Sequence, residues 1–175
     1  NQLAIATQTS SRQSGILSLN DDSFIPLSGI TEAGARAIGW NTDANLLAVG
    51  DLEGKLHIFT AEGKLLKTIN TNQKSLTGLS WHPKKNHIAL VGEYISIYDY
   101  TNDSLGSIQS REEEVLMLCV AWHPSGEFFV TGDYGDNDKG YPPLLQFWNA
   151  SGERLHGTDI SKGEYRNIRW SHDGN

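Results

Sequence analysis

The sequence predicts an all-β protein, a β-propeller built from four-stranded antiparallel blades. Four tryptophans lie 41, 41 and 48 residues apart, at Trp40, Trp81, Trp122 and Trp170. A repeat of roughly 40–45 residues is typical of a propeller blade of four strands. Around each tryptophan an alternating apolar stretch leads into a polar turn, and a second apolar stretch follows the first three. This order is the pattern of an antiparallel hairpin.

Each full repeat predicts four strands, and the tryptophan closes the first of them. The turn after Trp81 contains Pro83 and the turn after Trp122 contains Pro124. Proline fits a turn because it fixes φ and has no N–H to donate to a sheet ladder. Three predicted blades follow one another along the chain: blade 2 at 31–70, blade 3 at 71–110 and blade 4 at 111–158.

Blade 1 is predicted from both ends of the chain. The strands within 1–30 lack a first strand, and the stretch 164–175 supplies one that ends at Trp170. Such a split closes a ring without open sheet edges. About four blades' worth of strands would make a small ring, so we expect the chain to be part of a larger ring. Self-association of two copies into eight blades is the alternative, which a mass measurement in solution tests.

Two local patterns resemble the WD-repeat propeller family. The first is the Trp-His-Pro turn at Trp81 and Trp122, and the second is an aromatic-polar pair that ends the third strand, as in Tyr98-Asp99 and Trp148-Asn149. The resemblance covers nearly all of 1–175, although the Gly-His dipeptide that often opens such a repeat is absent from the sequence. It implies a platform that assembles other proteins, hence a non-catalytic protein-protein interaction scaffold.

Composition narrows the classes of partner. Fourteen Lys and Arg against 21 Asp and Glu give a net charge of −7, which disfavours binding to nucleic acid or to an anionic membrane. No stretch of 18 apolar residues is present.

The single cysteine, Cys119, has no internal disulfide partner, and this favours a reducing, cytoplasmic location. Because the chain begins at Asn1 without a methionine, the simplest expectation is a piece of a longer protein.

The acidic charge concentrates in one set of loops. Loops between second and third strands, and loops between blades, should gather on one face. They carry twelve of the 21 acidic residues: Glu32, Asp51, Glu53, Glu93, Glu112, Glu113, Glu114, Asp133, Asp136, Asp138, Asp159 and Glu164. The basic residues in the same loops are Arg12, Lys55, Lys74, Arg111, Lys139 and Lys162. Either these loops are a solvated, solubilising set, or they form a docking face for a basic peptide or domain.

The fourth repeat carries an insertion at 133–143, which makes its spacing longer. Insertions in repeat proteins map to loops, often on the binding face, and two tyrosines there are candidate interface anchors. The alternative is a neutral insertion. The predicted partner-binding residues are Asp133, Tyr134, Asp136, Asp138 and Tyr141 in the insertion, with Asp51 and Glu93 in the equivalent loops.

The sequence predicts no catalytic residue, no metal site and no cofactor. Asp136, Asp138 and Gly140 resemble part of a calcium loop, but the twelfth position counted from Asp136 is Phe147 and not a carboxylate. His82 and His123 recur at turns, which indicates structural side chains that bond local backbone. The rival hypothesis is an enzyme or small-ligand propeller with its site at the central channel.

Overall fold

The computed structural model describes residues 1–9, 13–108 and 115–174, and every regular element within these ranges is a β-strand. The chain divides into two compact units, unit 1 at Asn1–Leu79 and unit 2 at Ser80–Asn175. Four sheets form, and within each the strands follow one another in chain order. The predicted all-β class is therefore confirmed.

Unit 1 contains a three-stranded and a four-stranded antiparallel sheet. Sheet A comprises β1 (Gln2–Ile5), β2 (Gly15–Ser18) and β3 (Phe24–Pro26). Sheet B comprises β4 (Ala35–Trp40), β5 (Leu46–Asp51), β6 (Lys55–Thr60) and β7 (Leu65–Asn70). Ile16 of sheet A packs with Leu47 and Phe59 of sheet B, and all three side chains are fully buried. Burying side chains of this size contributes about 1.5–3 kcal/mol each.

Unit 2 contains two four-stranded sheets, and the unit boundary falls inside the first strand. Sheet C comprises β8 (Gly78–Trp81), β9 (His87–Val91), β10 (Ile95–Asp99) and β11 (Ser104–Ile108). Sheet D comprises β12 (Met117–Trp122), β13 (Phe128–Asp133), β14 (Leu145–Asn149) and β15 (Arg154–Thr158). Trp122 packs in the core with Phe129 and Trp148, beside Ala89 and Val91 of sheet C. The tryptophan thus lies between neighbouring sheets, as predicted.

The polar residue that ends a third strand holds the next turn. The Asp99 carboxylate accepts hydrogen bonds from the N–H groups of Thr101 and Asn102 at 2.9 and 3.1 Å. Asn149 does the same for Ser151 and Glu153 at 3.1 and 2.9 Å. Short polar side chains satisfy turn N–H groups in this way, which explains why the aromatic-polar pair recurs in the sequence.

The segment 164–174 differs from its prediction as a strand. No strand is assigned to it, and sheet A has three strands. A strand requires a ladder of backbone bonds to a neighbour, whereas the segment is held mostly by single contacts to sheet D. Tyr165 N–H donates to Asp133 O at 3.2 Å, and the Trp170 indole N–H donates to Ala121 O at 3.2 Å. The completion of blade 1 by 164–175 stays a prediction.

Two histidines in the turns of unit 2 link successive turns. His82 Nδ1 accepts from the N–H of Lys84 at 3.0 Å, so the ring proton is on Nε2, which donates to Gly126 O at 3.0 Å. His123 repeats the arrangement, accepting from Ser125 N–H at 3.1 Å and donating to Gly174 O at 3.1 Å. Local backbone bonding was predicted for these side chains, but the bond to the following turn was not. We call this pair of contacts the histidine ladder.

Candidate docking surface

The predicted gathering of loops at one end of the sheets is observed within each unit. In unit 1, Leu76 N–H of the loop after sheet B donates to Asp51 O at 2.9 Å. In unit 2, Met117 N–H donates to Gly92 O at 2.8 Å, and Tyr134 N–H donates to Leu116 O at 3.0 Å. Loops between second and third strands therefore lie beside loops between sheets. The predicted loop residues Arg12 and Arg111 to Glu114 lie outside the described residues.

Asp133 holds the base of the β13–β14 loop and is only 1% exposed. One carboxylate oxygen accepts from the N–H groups of Gly135 and Leu144, both at 2.9 Å. The two ends of the insertion are thereby tied to one side chain. Asp133 was predicted to contact a partner, but its burial gives it the position of a support for the loop.

The middle of the loop is closed by a second set of bonds. Asp136 and Tyr141 exchange two backbone hydrogen bonds, both of 2.8 Å. The ammonium group of Lys139 lies 3.1 Å from the Asp136 carboxylate, and this hydrogen bond and charge hold the pKa of Asp136 below its ordinary value. Tyr141 is half-buried, whereas Asp138 is exposed. The insertion is thus a bonded loop that presents Asp138 and part of Asp136 to solvent.

Tyr134 is the large exposed side chain of this loop, at 56%. Leu116 lies next to it in the chain segment before β12 and is 38% exposed. Leu116 was not among the residues predicted for this surface. It precedes β12 by one residue, and a bulge between Met117 and Cys119 breaks the alternation that would have indicated its side.

Glu93 occupies the equivalent loop of sheet C and is half-buried. Burial, together with the charge of Glu93, raises the pKa of the neighbouring Tyr94. Because Gly92 O bonds the first residue of β12, this loop adjoins the start of sheet D. We call Glu93, Leu116, Tyr134, Asp136 and Asp138 the docking surface of unit 2.

Asp51, the remaining predicted contact residue, belongs to unit 1 and is fully buried. Its Oδ1 accepts from the N–H groups of Glu53 and Lys55 at 3.0 and 2.8 Å, and Oδ2 bonds His57 Nε2 at 2.8 Å. His57 Nδ1 lies 3.1 Å from the Thr68 hydroxyl. Burial raises the pKa of Asp51, but the bonds from His57, Lys55 and Glu53 outweigh it, so the pKa lies below its ordinary 3.8. The position of Asp51 is that of a loop support, like Asp133.

Sheet D contains a buried polar side chain, Gln146, that lacks such hydrogen bonds in the described structure. Gln146 occupies the position in β14 that His57 occupies in β6, one pair in from the loop end of each sheet. Its side chain is fully buried, and neither amide atom has a hydrogen-bond partner in the described structure. The strand neighbour is Gly157, where sheet B has Thr68.

Replacing Gln146 with methionine is expected to stabilise unit 2 by about 1 kcal/mol. A buried polar group without a partner costs about 1–3 kcal/mol, and methionine removes it at similar volume. Urea denaturation of the two proteins measures the difference. A lower midpoint for the variant would contradict the expectation and would indicate that the amide is satisfied by a bound water.

Within the described residues, no group of three or more His, Cys, Asp or Glu side chains is arranged to hold a metal ion, and no helix has the length and apolar character that a membrane span requires. A shallow groove of about 520 Å³ in unit 1 is lined by Asn1, Gln2, Ser18, Asn20, Trp40 and Ala44. Apart from the Ser18 hydroxyl, the lining side chains carry no group of the kinds that act as acid, base or nucleophile in enzymes.

These observations define a β-propeller protein, and comparison with known families agrees. Residues 27–84 match the profile described as the anaphase-promoting complex subunit 4 WD40 domain, and residues 104–139 match the WD domain, G-beta repeat. The chain belongs to the WD-repeat β-propeller family, as its turns and aromatic-polar pairs indicated.

Individual relatives match over short segments. The F-box-like/WD repeat-containing protein TBL1X of Mus musculus is 34% identical over 56 residues, which is 32% of this chain and 11% of that protein. TBL1Y of Homo sapiens is 32% identical over 56 residues, again 32% and 11% of the two chains. A chain in the crystal structure of a mitotic checkpoint complex superposes with a TM-score of 0.79 at 21% identity, covering 97% of this chain and 51% of that one. The last likeness concerns the fold alone.

Proposed function

We propose that this protein is a non-catalytic interaction scaffold that binds partner proteins on the docking surface of unit 2. The single observation that carries the proposal is the exposed Tyr134 on a loop fixed by hydrogen bonds at its base and in its middle. A fixed loop loses little conformational entropy on binding, so an exposed aromatic anchor contributes more of its burial to affinity.

Family membership supports the same class of function. The structure described as a mitotic checkpoint complex contains a chain with this fold. A chain with this fold thus takes part in a complex, and we propose that the present chain also binds other proteins. Capture from an extract identifies these partners.

Replacing Tyr134 with alanine together with Asp138 with asparagine is expected to reduce partner capture at least tenfold. The measurement is quantitative mass spectrometry of proteins retained from an extract of the source organism on immobilised wild type and variant. The tenfold figure corresponds to about 1.4 kcal/mol, a modest loss for a buried tyrosine at an interface.

The matched control is Leu155→Ala with Glu127→Gln, which also alters one exposed apolar residue, on β15, and one exposed acidic residue, in the β12–β13 turn. Neither lies in the β13–β14 loop. Partners retained equally by the wild type and the Tyr134 variant would overturn the proposal, as would partners lost only with the control.

A further inference from the structure

We propose that the docking surface recognises a basic linear segment that places one apolar side chain against Leu116 and Tyr134. This inference rests on the proposed function and specifies its partner. The two side chains come from adjacent chain segments, because Tyr134 N–H bonds Leu116 O at 3.0 Å. Together they expose an aromatic ring and an aliphatic side chain, at 56% and 38%.

The apolar pair is not a requirement of the fold. Sheet B has the same backbone bond at the equivalent position, where Leu52 N–H donates to Gly34 O at 3.0 Å. There the place of Leu116 is taken by a glycine, and Leu52 is half-buried. A blade can therefore build this end without exposing two large apolar side chains, and here the exposed pair is available to contact a partner.

The charge around the pair selects a cationic partner. The described loop residues at this end of sheets C and D include the acids Glu93, Asp136, Asp138, Asp159 and Glu164 and the bases Lys139, Lys162 and Arg166. Lys139 pairs with Asp136, and Arg166 pairs with Glu164, which leaves an acidic excess at the end that carries the apolar pair. A basic segment is attracted to this acidic excess, because complementary potential guides encounter and fixes register.

The size of the apolar contact favours a linear segment over a folded domain. Two partly exposed side chains can cover one inserted apolar residue, whereas a folded partner of standard size needs about 800 Å² on each side. A short segment gains affinity from one anchor and several flanking charges, and such contacts weaken as salt screens them.

The probe is a phage-displayed library of random twelve-residue peptides, selected on the wild-type chain. Recovered peptides are then synthesised and titrated by fluorescence anisotropy against four proteins: wild type, Leu116→Ser, Tyr134→Ser and Leu155→Ser. Leu155 is as exposed as Tyr134 and lies on β15, so it is the matched control. Thermal melts of all four confirm that each is folded.

The expected result is a set of net positive peptides sharing one apolar position. Their Kd rises at least tenfold for Leu116→Ser and for Tyr134→Ser, stays within twofold for Leu155→Ser, and rises with salt. Recovery of no peptide, of peptides without basic enrichment, or of peptides insensitive to both substitutions overturns the inference. Protein capture that depends on Tyr134, combined with any of these three outcomes, leaves the scaffold function standing and rejects only the basic segment.

Discussion

Replacing Asp51 with alanine is expected to destabilise unit 1 by about 3–5 kcal/mol, the cost of breaking a buried pair by removing one partner. The substitution leaves His57 buried without its acceptor and leaves the N–H groups of Glu53 and Lys55 without theirs. Urea denaturation followed by hydrogen-exchange mass spectrometry of β5 and β6 reports this unit separately. Glu53→Ala, at an exposed side chain in the same loop, should change stability by less than about 0.5 kcal/mol.

The contribution of Asp51 to the stability of unit 1 is expected to decrease as the pH falls. The pKa of Asp51 is below its ordinary 3.8 in the folded chain, so the unfolded chain binds more protons as the pH falls past 3.8. Stability from Asp51 is therefore present above that pH and is lost as the pH falls through the folded pKa. The alanine variant should show a shallower loss on acidification, and an unchanged slope would contradict the role given to this carboxylate.

Replacing Gly126 with alanine is expected to cost unit 2 about 2–3 kcal/mol. Gly126 has a φ of +74°, and a Cβ there would lie 2.6 Å from His82 Cε1. The left-handed backbone costs a non-glycine residue about 1–2 kcal/mol, and loss of the His82 bond adds about 1 kcal/mol. Chemical denaturation of the full chain measures the change.

Gly140 provides the control for that experiment. Its φ is +76°, close to that of Gly126, and a Cβ there would meet nothing within 4 Å. Gly140→Ala should show the backbone cost alone, about 1–2 kcal/mol. Equal losses for the two variants would contradict a contribution from the histidine ladder.

Acidification tests the ladder independently. Burial lowers the pKa of His82 from 6.5, as do the nearby charges of Lys85, His87 and Lys84, although the bond to Gly126 O opposes the shift. The ladder uses the neutral ring, since Nδ1 must accept from Lys84 N–H. The sign follows: the stability that His82 provides is full above pH 6.5 and is lost as the pH falls through the lowered value.

The strand order was predictable because each repeat contains its own pattern of strands and turns. The tryptophan spacing indicated the extent of each blade, and polar residues such as Asp99 and Asn149 marked turns whose N–H groups they satisfy. The candidate site was less predictable. Asp51 and Asp133 resembled surface acids because a sequence does not distinguish a carboxylate that binds loop N–H groups from one in solvent.

Long-range geometry accounts for the remaining differences. The exposure of Leu116 was not predictable, because a bulge breaks the alternation of the strand that follows it and has no apolar signature in the sequence. The bond from His82 to Gly126 joins residues 44 positions apart, beyond the reach of any local pattern. Gln146 could not be identified as unsatisfied without knowing that its strand neighbour is Gly157.

The histidine ladder gives the array of blades a direction. In the turn after Trp122, the Gly126 carbonyl accepts a hydrogen bond from His82, and the His123 ring donates one to Gly174 O. In the turn after Trp81, the His82 ring is the donor, and Lys85 occupies the position equivalent to Gly126. A blade whose turn both accepts and donates such a hydrogen bond can be linked to a neighbour on each side, so copies of it can follow one another along the chain. Duplicating the segment around Trp122 would therefore give the added blade a bonding group on each side.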